Sequence, residues 1–483
     1  MVGTLIISAM LLGSPPTERE YYRIVDVEIP ESIVMEVGGL LALGDGRIMA
    51  CTRRGEVWII NDAYGDEPSL TLYADGLQEP LGLMEHDGWI YTAQRGELTR
   101  MKDTDGDDRG DVFETVCDDW AISGNYHEYT FGPAMDTNGD FWITLNRPFG
   151  AQPFGKKDWR GWAMRVTPEG EMFPEAAGLR SPAGVAISPD GDVFYSDNQG
   201  EWCGTSKLSH IERGDFHGHP LGIDSAHREE SLVEHPGEIP DGELMPEANR
   251  RIPGFKLPAV WFPYDKMGKS PAGFVWDRTG GAFGPFQGQV FIGDQHHAWV
   301  MRVYLEKVDG AWQGACFPFM SGFQSGIVRV AWGEDDSLIV GMTNRGWASR
   351  GNRQWGIQRL EWTGQTPFEI QRMEAIPGGF RLSFTHEVDA ETARDSKNWT
   401  INSYTYRHHS PYGSPEVDVK EGLVIESITV SEDRRQVDLS VNGLREGYVH
   451  ELHGDGVRDL SGHPLLHDRA YYTLNRIPQK SPD

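Results

Sequence analysis

The chain of 483 residues carries 73 acidic and 44 basic side chains, a formal net charge of −29. A field of that sign repels phosphate backbones and anionic lipid, so it disfavours nucleic-acid and polybasic-type membrane binding; it suits neutral or cationic ligands, calcium, a salty medium or plain solubility. Four widely spaced cysteines, Cys51, Cys117, Cys203 and Cys316, form no CxxC or CxxCH pattern, which excludes covalent c-type haem and a cysteine-based zinc site and leaves any disulfide pairing open.

At the N-terminus, Leu5 to Leu12 make a short apolar run followed by Gly13 and Ser14. This is the layout of a shortened signal-peptide core and cleavage site, without the basic n-region, and it predicts a secreted or periplasmic protein with residues 1–20 as signal and linker. The alternative is an N-terminal strand. No later stretch is long and apolar enough to span a membrane.

From about residue 21 one pattern recurs: an apolar strand, an Asp-Gly or Asn-Gly turn, and a second strand of alternating apolar residues. The copies read LALGDGRIMACT, LMEHDGWIYTA, PAMDTNGDFWITL and VAISPDGDVFYSD, then more loosely FGPFQGQVFIGD and WGEDDSLIVGM. Most are followed by a third, more polar strand such as GEVWIIND or GELTRMKD. Asp-Gly and Asn-Gly are the pairs that two-residue hairpins demand, because both central positions need positive φ. A spacing of about 40 to 50 residues, with one gap of twice that length near 203–265, predicts six units and one loop insertion. The fold class is therefore all-β, with a six-bladed β-propeller over residues 21–365.

After the second blade's outer strand, Asp103, Asp105, Asp107, Asp111 and Glu114 place oxygen atoms at positions 1, 3, 5, 9 and 12 of a loop, the spacing a hard cation such as calcium requires. Asp108 stands where an EF-hand loop has its turn glycine, and no flanking helices are predicted. A structural calcium loop is expected, against a solvated acidic turn as the alternative.

In a propeller, loops at blade ends converge on a central funnel, so polar residues at blade edges are the candidate site. His127, just before the third blade, is a candidate general base, since imidazole titrates near neutrality. Arg180, ahead of the fourth, can polarise a carbonyl or pair with an anionic oxygen, and Asp197 to Gly200 end that blade's second strand. His217 and His219, one residue apart on an extended segment, point the same way and can share a metal or simply form a turn. Asp294, Gln295, His296 and His297 on blade five join Arg329, Asn344, Arg345 and Trp347 on blade six. Adjacent histidines on a strand would alternate faces, leaving one for the funnel.

The pattern stops at Thr363–Pro367. Short alternating segments with turns every ten residues or so then predict an immunoglobulin-like β-sandwich over 366–483. Its expected role is docking on or covering the propeller, with sugar binding as the alternative.

The segment HEYTFGPAMDTNGDFWITL, then GLRSPAGVAISPDGDVFYSDNQG with SKLSHIERGDFHGHP, and SPAGFVW, QVFIGDQ, VMRVYLE and GIVRVAW resemble, in order, the soluble quinoprotein glucose and sorbosone dehydrogenases. They resemble more closely still the propeller proteins of planctomycete-type bacteria described as membrane-bound dehydrogenases. The resemblance spans about residues 30–365. It implies that His127 takes the proton of a sugar hydroxyl while hydride passes to pyrroloquinoline quinone (PQQ). It further implies that Arg180 polarises the quinone, that Arg329 lies near its carboxylates, and that Asp197–Gly200 hold a catalytic calcium. The family's cofactor-contacting lysine on blade five falls here at Gln295 or His296, so a positive charge is missing from that pattern. The expected function is a PQQ-dependent sugar or alcohol dehydrogenase, with cofactor-binding residues Arg329, Gln295, His296 and Arg345 and a cytochrome or other electron acceptor. The competing readings are a quinone-free carbohydrate-active propeller (lyase or hydrolase) and a non-catalytic binding propeller. Sixteen Trp and sixteen Tyr suit sugar stacking, although most propeller aromatics are core.

Overall fold

The computed structural model describes residues 16–150 and 153–479; the apolar run Leu5–Leu12 and Gly13-Ser14 lie outside the described residues. Six four-stranded blades follow one another along the chain, five as separate sheets and the fifth as half of an eight-stranded one. Their innermost strands are Val37–Ala42, Met84–His86, Thr130–Met135, Pro182–Ile187, Pro271–Trp276 and Ile327–Trp332. The propeller is closed by Tyr22–Val27, which pairs antiparallel with Trp355–Trp362 as the outer strand of blade six. Joining the N-terminal segment to the last blade removes the exposed sheet edge that an open ring would leave.

Two features differ from the expectation. Each blade has a fourth strand, and in blades such as two and four it is weakly patterned (Val112–Cys117, Val260–Phe262), which is why three strands per unit were legible. The acidic loop thus joins the third and fourth strands of blade two, and the insertion of blade four lies between Ser206–Ile211 and Val260–Phe262. The hairpins also use two geometries. Asp87 and Gly88 both take positive φ, 52° and 74°, whereas in blades three and four only Gly139 and Gly191 do. Those turns are longer, closed by Asp136 N to Asp140 O and Ser188 N to Asp192 O.

The innermost strands ring a narrow cavity of about 120 Å³ bordered by Leu40, Gly82, Gly132, Gly184, Gly273 and Arg329. Glycine is needed there because the strands nearly touch. A Cβ on Gly82 would lie 2.1 Å from Gly132 O, and one on Gly184 2.6 Å from Ala272 O. Five of these strands carry a register shift near their start, such as that between Pro182 and Gly184, where a bulge bends the strand locally. All four cysteines are free thiols in the core.

The C-terminal unit begins at Ile370–Ile376 and holds two four-stranded layers. One is continuous with blade five: Gly314, Ala315 and Cys316 pair with Thr473, Tyr472 and Tyr471, producing an eight-stranded sheet. Blade five can do this because its outer strands, Trp299–Val308 and Ala311–Met320, run ten residues and project past the blade. Phe380, Leu382 and Leu439 of one layer pack with Ile401, Leu452 and Tyr472 of the other and with Ala315 and Phe317 of the propeller. The two parts therefore share an apolar core, which makes separate unfolding costly.

An ion cluster ties the N-terminus to this unit. His467 Nδ1 lies 2.6 Å from Glu369 Oε1 and its Nε2 3.1 Å from Glu18 Oε1. Burial opposes the charged imidazole, but Glu369 and Glu18 more than offset it and raise its pKa to about 9. A folded pKa above the unfolded value of about 6.5 means that the stabilisation is fully present below about pH 6.5 and is lost as pH rises through about 9. His467→Gln should thus destabilise the protein at pH 6 and much less at pH 9.5, read from urea midpoints at both values. A loss independent of pH would assign His467 to packing alone.

Candidate active site

One end of the funnel opens into a cavity of about 340 Å³. Its polar lining comes from Arg53, His127, Asn146, Arg180, Ser181, Asn198, Lys269, Gln295 and Arg345; its aromatic walls are Tyr126, Tyr129, Phe131, Phe149, Trp347 and Tyr412. No Asp or Glu lines it, although the protein as a whole carries −29.

His127 sits in the loop that enters blade three. That loop is pinned by buried Glu128, which accepts from Ser123 N and Asn125 N, and by Asn125 Oδ1, which accepts from His127 N and Phe149 N. The ring is fixed at both nitrogens. Nδ1 is 2.9 Å from the Arg147 carbonyl, which can only accept, so Nδ1 carries the proton. Nε2 therefore presents its lone pair to the cavity and accepts from Ser181 Oγ at 3.1 Å. Burial, then the Arg180 guanidinium, pushes this imidazole down to about 3, so it is neutral across the physiological range.

Two Arg–Glu–Arg groups flank the histidine. Glu79 accepts from Arg53 Nε at 2.9 Å and from Arg95 Nε at 2.8 Å, with the Tyr129 ring between the two guanidiniums. Glu201 accepts from Arg147 and lies 3.3 Å from Arg180 Nη2. One carboxylate for two guanidiniums leaves each group with an excess positive charge beside the cavity. Arg180 lies between the Phe149 and Tyr412 rings, 5.4 and 5.2 Å from their centroids, and against Gly200, where a Cβ would lie 2.0 Å from its Nε.

The remaining predicted residues divide. Gln295 and Arg345 line the cavity; Gln295 Nε2 donates to the Thr343 and Arg345 carbonyls, and Arg345 pairs with Glu36. His296 stands outside it, bound through Nδ1 to Ala348 O, because Gln295–Ala298 form a turn rather than a strand and the expected alternation of faces does not apply. Arg329 lies deeper, in the narrow channel: it donates to Ala183 O, Val328 O and Leu81 O beneath the Phe131 ring. Its guanidinium joins three blades and does not border the larger cavity.

Asp197 is fully buried, and its oxygens accept from Arg180 N, Ser181 N and Asn198 N. The Gly200 carbonyl accepts from Gly413 N at 3.0 Å. These oxygens are committed to backbone donors, whereas Asn198 Oδ1 in the same segment and Asn146 Oδ1 beside it are buried in the cavity lining without a hydrogen-bond partner, two oxygens where a calcium ion takes six to eight. His217 and His219 are buried behind the funnel without forming a metal-ligand cluster among the described residues. In blade two, Asp103, Asp105 and Asp111 bring carboxylate oxygens within 4.8 Å of one another. Glu114 is held instead by Arg100 at 2.6 Å, and Asp107 accepts from Arg109 N.

Lys269, like Arg53 and Tyr412, lines the cavity without having been singled out from the sequence, and for Lys269 the repeat could have found it. Lys269-Ser270-Pro271-Ala272-Gly273 of blade five copies Arg180-Ser181-Pro182-Ala183-Gly184 of blade four. Asp294 accepts from Lys269 N and Ser270 N just as Asp197 does from Arg180 N and Ser181 N. Blade five thus does bring a lysine to the cavity, one hairpin earlier than Gln295.

A family model described as a domain of unknown function, DUF7133, matches residues 42–233. No curated protein matches. Among solved structures, the chain is similar to an oxidoreductase (glucose dehydrogenase) of Thermus thermophilus, with 20% identity over 70% of this chain and 99% of that one and a TM-score of 0.51. It is also similar to the PQQ-bound aldose sugar dehydrogenase of Streptomyces coelicolor, with 16% identity over 72% of this chain and 100% of that one and a TM-score of 0.49. At such identities the likeness is one of fold: a β-propeller.

Proposed function

We propose that the funnel is the active site of a quinone-dependent oxidoreductase acting on a sugar or other alcohol. The observation that carries this reading is a neutral imidazole, with its proton locked on Nδ1, presenting Nε2 to a cavity lined by Arg53, Arg180, Lys269 and Arg345 and by no carboxylate. Such a cavity fits a flat, multiply anionic heterocycle, with cations for its carboxylates and aromatic walls for its faces. Asp197 and the Gly200 carbonyl are already engaged by backbone N–H groups and are not free for the calcium that the resemblance implies there, and no step is drawn through that ion.

When bound, PQQ supplies a two-electron acceptor for the hydride leaving the substrate carbon. The rest is the work of the chain. A substrate hydroxyl replaces Ser181 Oγ as donor to His127 Nε2, and Ser181 keeps its contact with Asn146 Nδ2 at 3.3 Å. His127 takes the hydroxyl proton as the carbinol carbon loses hydride. Arg180, stacked between two rings, holds a cation in place where oxygen acquires charge. Tyr129 and Phe131 keep the floor apolar, which strengthens both effects.

The test is titration of the protein with PQQ, followed by dye reduction across a panel of sugars and alcohols. Stoichiometric binding with substrate-dependent dye reduction supports the reading; absence of quinone binding removes it. In that case a quinone-free carbohydrate-active propeller, with the same His127 as base and Arg180 neutralising an acidic sugar, becomes the stronger reading. The electron acceptor, a cytochrome or another partner, and secretion through the N-terminal apolar run belong to the same proposal. No helix among the described residues is long and apolar enough to cross a membrane.

Calcium is proposed for the blade-two loop instead, in a structural role. Mutual repulsion there is visible in Asp105, whose pKa is raised, first by Asp107. In chelator-treated protein, added calcium should raise the thermal midpoint, and Asp105→Asn should abolish the rise; no calcium response would make the loop a solvated turn.

A further inference from the structure

Among the described residues, five large aromatic side chains are exposed, and four of them border the one cavity: Tyr126, Tyr412, Phe149 and Trp347, at 56%, 48%, 40% and 39% exposure. Only Phe113 lies elsewhere. Apolar rings gathered at one rim and left to solvent mark a binding surface rather than a packing accident. They fall into two pairs. Tyr126 donates to Gly346 O at 3.0 Å, next to Trp347, on one side. Phe149 and Tyr412 both present their rings to the Arg180 guanidinium on the other.

Tyr412 is not a propeller residue. It comes from the C-terminal unit, on a loop fastened to the funnel by Trp202 N to His409 O, Gly413 N to Gly200 O and Ser414 N to Gly204 O. The insertion of blade four supports the other side, pairing Glu243 and Leu244 with His408 and Arg407. Gly413 has φ of +64°, and a Cβ there would lie 2.6 Å from the Gln199 side chain, so the loop is shaped to lie flat on the funnel wall. Main-chain bonds on two sides hold the Tyr412 ring in place before any ligand arrives, which lowers the ordering cost of binding.

We propose that the C-terminal unit completes the substrate site: Tyr412 is a stacking platform beside Arg180, and the aromatic rim binds an oligosaccharide whose end residue enters the funnel. This rests on the reading that the funnel takes a sugar. The C–H face of a pyranose packs on an aromatic ring while its hydroxyls reach the polar groups at the edge, and two pairs of rings supply more platform than one sugar can cover.

The experiment compares cellohexaose, xylohexaose and mannohexaose with glucose, xylose and mannose by calorimetric titration of the full chain. At least one hexasaccharide should bind about tenfold more tightly than its monomer, and Tyr412→Ala should remove about that factor. Tyr412→Trp should retain it, and an unchanged thermal midpoint for Tyr412→Ala excludes a folding defect. Equal affinity for hexamer and monomer, no binding of any hexamer, or a Tyr412→Ala variant that binds like wild type overturns the proposal. The two readings fail separately. Tyr412-dependent hexasaccharide binding without PQQ binding sinks the dehydrogenase and keeps the platform; PQQ-dependent oxidation indifferent to Tyr412 does the reverse.

Discussion

Replacing His127 with glutamine will cut PQQ-dependent turnover by about 10²- to 10⁴-fold while leaving the end point of a PQQ titration unchanged. The size follows from the role: Nε2 is the basic lone pair of the cavity that Arg147 O and Ser181 hold in a defined direction. The pH dependence is equally specific. Because burial and Arg180 push the free imidazole down to about 3, His127 is the competent, neutral base at every pH above that value. The acid limb of kcat/KM, which reports the free protein, should therefore stay flat from pH 8 down to about pH 4 and fall only as His127 protonates. A break near 6.5 would mean that neither burial nor the guanidiniums act on the base, and a variant with wild-type turnover would remove His127 from the chemistry.

Arg329→Met will destabilise the protein by about 3 kcal/mol, read from the urea midpoint at constant m-value. Its guanidinium donates to Leu81 O at 3.0 Å, Ala183 O at 2.8 Å and Val328 O at 2.6 Å, carbonyls of three blades that converge where water has little access. Burial is the main cause that drives its pKa down to about 10, so it still carries its proton at pH 7, stabilised by hydrogen bonds rather than by a carboxylate. Methionine fills the volume and stacks on Phe131 but removes the guanidinium donor from three carbonyls, of which Leu81 O keeps Gly132 N. A variant of wild-type stability and weakened PQQ titration would return Arg329 to the cofactor-binding role the resemblance implies.

Together the two residues separate what the funnel does from what keeps it open. Arg345 and Lys269 have carboxylate partners of their own in Glu36 and Asp265, and the cavity holds its positive charge because two other carboxylates are shared: Glu79 between Arg53 and Arg95, Glu201 between Arg147 and Arg180. In a chain of net charge −29, that local reversal selects anionic groups for the funnel and repels them elsewhere.

The sequence by itself determined the propeller. Apolar alternation broken by Asp-Gly turns is a local property, and a repeat that cannot bury its faces alone has to stack with its copies. It also placed His127, Arg180, Gln295 and Arg345 at blade edges, where the structure brings them to one cavity. It did not decide depth. Arg329 lies on a blade edge like Arg180, yet a bulge between Ile327 and Arg329 turns it into the channel. Nor could it say which oxygens were free: Asp197 reads as a metal ligand until three backbone N–H groups are seen to saturate it. Tyr412 was the least legible, because it lies 232 positions from Arg180 and reaches it only after the strands of the C-terminal unit have joined blade five. Local pattern fixes which strands form, while the partners of a charge or a ring are set by contacts between distant segments, and those exist only once the chain has closed on itself.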